Sequence, residues 1–299
     1  MSSLLSYCSK CGRELAPELY NQCPHCELRE TQSEAPVPPA AESSGRWTDV
    51  LWAFLAWGAG GGFLLAFESL GRLVLWYTKG GLPELQLTPL LVIASLAITL
   101  VMQMAGLVVS WLVVTRVGKR PFWASLGWGW HPKFKWWHAV GLAALMMGVA
   151  VLLSKILPHR ETELEKVLKM GLAVRVMVAS LAVLTAPLIE ELIYRGLLYS
   201  SIERIWGKVA GVVFVTGLFA LVHVPQYWGS YAAITAILSL SLVLTLLRAW
   251  TGMLLPCVIT HLVYNGIQAV ALLVAPEKLA SPEQTKPAFM LVGQWLGLV

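Results

Sequence analysis

The chain is poor in charge. Only 13% of its 299 residues are Asp, Glu, Lys or Arg, while 57% are hydrophobic and the mean hydropathy is +0.67. An ordinary soluble domain carries about 25% charged residues. The shortage excludes a disordered chain and a water-soluble enzyme of this size. Too little polar surface exists to cover such a core, so the bilayer is part of the protein's solvent. The first 30 residues lack an apolar run, which excludes a secretory signal peptide there. The chain also lacks an internal repeat and an HExxH motif. Cysteine is scarce beyond the N-terminus. Cys257 stands alone in an apolar stretch, where a thiol behaves as a small hydrophobe.

What is present points to a membrane. The net charge of +5 reads as positive-inside loops and not as nucleic-acid binding, and fourteen Trp suit the headgroup level. Residues 31–46, rich in Pro, Ala, Ser and Glu, read as a flexible linker. Residues 47–275 are expected to form an all-α, polytopic transmembrane bundle of about seven spans. The spans are placed at 50–77, 89–115, 137–157, 172–194, 209–224, 232–247 and 253–274. Residues 276–299 are left as a C-terminal tail. Lys and Arg concentrate after the second, fourth and sixth spans, as at Arg116, Lys119, Arg120, Lys133, Lys135, Arg204, Lys208 and Arg248. That bias places the N-terminus in the cytoplasm and the C-terminus outside. The basic, aromatic segment 119–137 reads as an interfacial anchor.

Cys8-Ser-Lys-Cys11 and Cys23-Pro-His-Cys26 are two C-x-x-C pairs in residues 1–30. Each pair can offer two thiolates to one ion, and four complete a closed tetrahedral zinc shell. Two disulfides or four free thiols are the alternatives, and a cytoplasmic location disfavours disulfides. The segment is therefore expected to be a small zinc-ribbon knuckle domain holding structural zinc, able to meet a cytoplasmic partner. It is similar to the zinc ribbons at the head of many prokaryotic membrane proteins.

Ionisable residues inside a membrane are costly and mark function by default. Glu68 and Arg72 are four apart in the first span and read as a structural pair. The run Pro187-Leu-Ile-Glu190-Glu191-Leu-Ile-Tyr-Arg195 is different. On a helix Glu191 shares a face with Arg195, whereas Glu190 points elsewhere. Glu191 is thus held ionised and Glu190 is free to take a proton, as a general base must. Pro187 strips the Val183 carbonyl of its helical partner and favours a kink at the site. Phe219-Ala-Leu-Val-His223 follows, with Pro225 expected to stop the helix. His261 and Asn265 then share one face of the last span. The turn between the fourth and fifth spans is expected near Trp206-Gly207. Glu190 and His223 then lie level, each about 24 Å from it. The expectation is one cavity, in the cytoplasmic half, that joins Glu190, His223 and His261.

The ordered motifs E-E-x-x-x-R, F-x-x-x-H and H-x-x-x-N resemble the type II CAAX protease and bacteriocin-processing family, CPBP, over residues of about 172–270. The resemblance implies a helical intramembrane endopeptidase acting on a peptide or protein substrate at the bilayer, in a prokaryotic inner membrane. It carries catalytic roles onto Glu190, Glu191, His223, His261 and Asn265, with Arg195 as structural partner. Glu190 and His223 would activate a water, and His261 and Asn265 would stabilise the oxyanion. A catalytic zinc on Glu190, His223 and His261 remains open. The rival readings are a non-catalytic binding or immunity protein and a proton or ion transporter.

Overall fold

The computed structural model describes residues 6–7, 14–15, 47–59 and 89–274, and the chain divides into units 1–44 and 45–299. In the first unit, strands β1 (Ser6–Tyr7) and β2 (Glu14–Leu15) pair antiparallel, Ser6 opposite Leu15 and Tyr7 opposite Glu14. Cys8, Cys11, Cys23 and Cys26 lie outside the described residues, as do the linker 31–46, Glu68, Arg72 and the tail 276–299.

The second unit is helical. Its elements are α1 (Trp47–Trp57), α2 (Pro89–Thr115), α3 (Phe122–Ser125), α4 (Trp136–Ile156), α5 (Glu163–Leu168), α6 (Leu172–Ser180), α7 (Ala186–Glu191), α8 (Ser200–Tyr227), α9 (Tyr231–Thr251) and α10 (Leu255–Val274). π-helical segments Leu181–Thr185 and Leu192–Tyr199 join α6 to α7 and α7 to α8. Five stretches among the described residues are long and apolar enough to cross a membrane: Val92–Thr115, Trp136–Ile156, Leu172–Tyr227, Tyr231–Thr251 and Leu255–Val274. This is an all-helical membrane bundle. The expected seven spans are not all visible. Of the first, only the portion up to residue 59 is described, and the fourth and fifth merge into one continuous element.

That element is nevertheless bent where the turn is expected. Gly207 has φ 84° and ψ 171° inside α8, a conformation that side-chain-bearing residues avoid. Tyr194, thirteen residues before Gly207, meets Phe219, twelve after it, with ring centroids 4.9 Å apart. The two limbs therefore form an antiparallel hairpin. Pro225 does not stop the second limb. Helix α8 runs on to Tyr227, because losing one N–H near a helix end removes a single bond that the last half-turn does without.

Two apolar clusters hold the bundle. Small residues on α4 and α9, among them Ala139, Ala143, Ala232 and Ala236, are wholly or almost wholly buried and let these helices approach α10 closely. Leu192, Leu198, Ile202, Val215 and Phe219 pack the hairpin against α1 and the start of α10. Leu145, Val209 and Leu221 are exposed, as lipid-facing residues are. In the segment 119–137, Trp123, Trp130, Trp136 and Trp137 are exposed too, as an interfacial anchor requires. Backbone bonds tie the ends: Leu254 N–H donates to the Gly127 carbonyl at one end (2.9 Å), and Arg160 N–H to the Gly229 carbonyl at the other (3.0 Å).

Candidate active site

Pro187 shapes the backbone before the carboxylates. It cannot donate to Val183, and the helix widens upstream into the π segment, where Ala186 N–H donates to the Leu181 carbonyl five residues back. The expected kink is a local widening. Asn265 enters this gap, donating from Nδ2 to the Ala182 carbonyl at 2.8 Å. One amide N–H of Asn265 is thus used on the scaffold.

Glu191 and Arg195 have no exposed surface. Arg195 Nη1 donates to Glu191 Oε1 at 2.9 Å, Nε to Thr245 Oγ1 at 3.3 Å, and Nη2 to Ser241 Oγ and O at 2.9 and 3.1 Å. Its guanidinium also lies 4.7 Å from the centre of the Phe219 ring. Every edge of this buried cation is therefore answered, which a charge removed from water requires. Ser241 and Thr245 belong to the site, although their sequence context is a plain apolar helix. The one trace there is their spacing of four, which puts both hydroxyls on one face of α9.

Glu191 Oε1 also receives His261, whose Nδ1 lies 2.9 Å away. An oxygen already taking a proton from Arg195 is an acceptor, so His261 Nδ1 carries the hydrogen. The other ring nitrogen, Nε2, is turned to Glu190 Oε2 at 3.9 Å. His223 is fixed in the same way: its Nδ1 donates to the Phe219 carbonyl at 2.7 Å, which leaves Nε2 with its lone pair. In both histidines these bonds engage Nδ1, and Nε2 is not part of them.

Glu190, His223, His261 and Asn265 line one cavity of about 660 Å³. Glu191 and Arg195 stand behind it. Glu163, Leu164 and Val167 of α5 and Gln226 and Tyr227 of α8 complete the wall on one side. These residues belong to the end where Arg160 meets Gly229, not to the end of Gly127, Gly207 and Gly252. The basic segments 116–135 and 204–208 sit at that other end. The expected cytoplasmic-half cavity therefore conflicts with placing those basic segments in the cytoplasm. Glu190, His223 and His261 do line one cavity, as the hairpin spacing expects.

Residues 172–267 match the family model described as type II CAAX prenyl endopeptidase Rce1-like. The decisive point is that this match holds Glu190, Glu191, Arg195, His223, His261 and Asn265, the residues the fold gathers. The Rce1-like segment is about a third of the chain. With five apolar helices it supports an integral membrane protein and, in general terms, an intramembrane endopeptidase. Comparison with curated proteins and with solved structures returns no match. Among the described residues, no three His, Cys, Asp or Glu side chains are grouped to hold a metal ion. Glu190, His223 and His261 therefore do not fit a zinc site as they stand.

Proposed function

We propose that this protein is an intramembrane endopeptidase that hydrolyses a peptide bond with a water activated by Glu190 and His223. The observation that carries the reading is the separation of the two adjacent carboxylates: Glu191 is consumed by Arg195 and His261, while Glu190 is left facing the cavity. A water between Glu190 and His223 Nε2 gives its proton to Glu190 and attacks the substrate carbonyl carbon. Charge develops on the carbonyl oxygen, where hydrogen-bond donors count most. Asn265 retains one N–H for it, and His261 stands in the same cavity wall beside Glu190. Collapse of the tetrahedral species breaks the C–N bond, and Glu190 returns the proton to the leaving amine.

The four N-terminal cysteines are proposed to hold one structural zinc in an adaptor that takes no part in this chemistry. Paired C-x-x-C spacing supports that assignment.

The test is cleavage of a fluorescence-quenched peptide by purified protein in detergent, wild type beside Glu190→Gln. Loss of cleavage with an unchanged thermal transition is expected. Cleavage at the wild-type rate by Glu190→Gln would overturn the reading. Peptide binding without turnover by the wild type would favour the binding-protein alternative.

A further inference from the structure

The fixed hydrogen bonds leave the proposed reaction short of donors. His261 spends its Nδ1–H on Glu191, and Asn265 spends one of its two amide N–H groups on Ala182. Two further polar side chains in the wall are engaged elsewhere: Thr99 donates to the Ser95 carbonyl, and the Tyr264 hydroxyl interacts with Gln268.

Tyr227 is placed to supply what is missing. Phe219, His223 and Tyr227 succeed one another at intervals of four along α8, so they form one stripe, and all three line the cavity. The residue is also held firmly. It ends α8, its carbonyl accepts from Ser230 N–H at 3.0 Å, and the next residues are pinned where Arg160 N–H meets Gly229. A donor on a fixed helix end needs little rearrangement when charge appears before it.

We infer that the Tyr227 hydroxyl is a further catalytic group of this site, donating a hydrogen bond to the oxyanion that forms when water attacks the substrate carbonyl. The inference rests on the endopeptidase reading. The Tyr227 O–H keeps its proton throughout: it lends a hydrogen bond as the carbonyl oxygen becomes negative, and withdraws it when the carbonyl re-forms.

The experiment measures steady-state cleavage of a quenched peptide by the full-length protein in detergent, for wild type, Tyr227→Phe and Glu190→Gln. Tyr227→Phe should lower kcat about a hundredfold, the scale of losing one oxyanion donor, with KM within about twofold. Its thermal transition should match the wild type. An inactive Glu190→Gln beside a fully active Tyr227→Phe overturns this inference alone, and so does a change confined to KM. A fully active Glu190→Gln removes the endopeptidase mechanism and the role of Tyr227 with it. If Tyr227→Phe folds poorly, 3-fluorotyrosine at position 227 keeps the packing and makes the phenol more acidic. The stronger donor should then change kcat with KM unmoved, and an unchanged kcat overturns the inference.

Discussion

Glu190 and Glu191 adjoin in the chain, yet only one of them meets the cavity. The Glu191 carboxylate has no solvent-accessible surface and bridges Arg195 to His261, whereas the Glu190 side chain keeps about a quarter of its exposure and faces His261 Nε2 across 3.9 Å. The 100° between helical neighbours is enough to separate a fixed charge from a reactive one.

This division predicts opposite behaviours. Glu191→Gln and Arg195→Ala should each destabilise the protein strongly, because each leaves a buried partner uncompensated, a loss of about 3–5 kcal/mol. Glu190→Gln should melt like the wild type. Thermal unfolding in detergent reads the difference, and equal stability of all three would show that the buried pair contributes nothing.

Smaller losses are expected on α9. Ser241→Ala and Thr245→Val each remove one hydrogen bond from the Arg195 guanidinium, about 1–2 kcal/mol apiece. Because both touch one group, the double variant should depart from additivity. A double-variant cycle by thermal unfolding checks this, and strict additivity would mean that the two hydroxyls act separately.

Gly127 should resist substitution. It has φ 67°, and a Cβ there would stand 2.7 Å from the Gly252 carbonyl oxygen and 3.2 Å from Arg248 Nη1. Gly127→Ala combines backbone strain with a clash against main chain, at a cost of at least about 1–3 kcal/mol. Gly217→Ala meets nothing within 4 Å and is the control. The comparison of melting temperatures decides it.

The N-terminal segment gives a prediction in metal analysis. Deleting residues 1–30 should remove one equivalent of zinc and leave cleavage of a short model peptide unchanged. Loss of cleavage with the bundle still folded would make the ribbon part of the enzyme.

Topology and chemistry are linked through the ends of the bundle. With the basic segments 116–135 and 204–208 on the cytoplasmic side, the turn at Trp228, which is exposed, faces outward together with the cavity wall at Tyr227. Trp228→Cys, in a chain with its other cysteines replaced, should then be labelled by an impermeant thiol reagent in right-side-out vesicles. Labelling only in inverted vesicles would reverse the orientation and put the cavity at the cytoplasmic face.

The parts legible beforehand were those that depend on helical phase. Spacing alone placed Glu191 on Arg195, separated Glu190 from both, and put the reversal at Gly207. Depth and span boundaries were less legible. Leu172–Tyr227 runs on as one helical element, so the two spans inside it are separated by the polar run 200–208 and the conformation of Gly207 and not by a break in the helix. Ser241 and Thr245 were hidden for the opposite reason. A hydroxyl that bonds a carbonyl of its own helix, as Thr245 does to Ser241 at 2.7 Å, sits comfortably in any apolar span and advertises nothing. The Tyr227 position was masked by Pro225, which reads as a helix stop although α8 passes through it.

The wide turn Leu181–Thr185 has a consequence for how this stretch tolerates insertion and deletion. Its i→i+5 bonding accommodates one residue more than an α-helix of the same length. Removing Leu184, which is 70% exposed, would let the turn tighten to ordinary α-helix with little loss of packing. Everything downstream would then keep its phase relative to α6, because the one extra residue is what the wide turn absorbs. Glu190 would stay on the cavity wall, and the Ala182 carbonyl, then four residues before Pro187, would stay open to Asn265. A single-codon loss at this lipid-facing position would thus leave the site assembled.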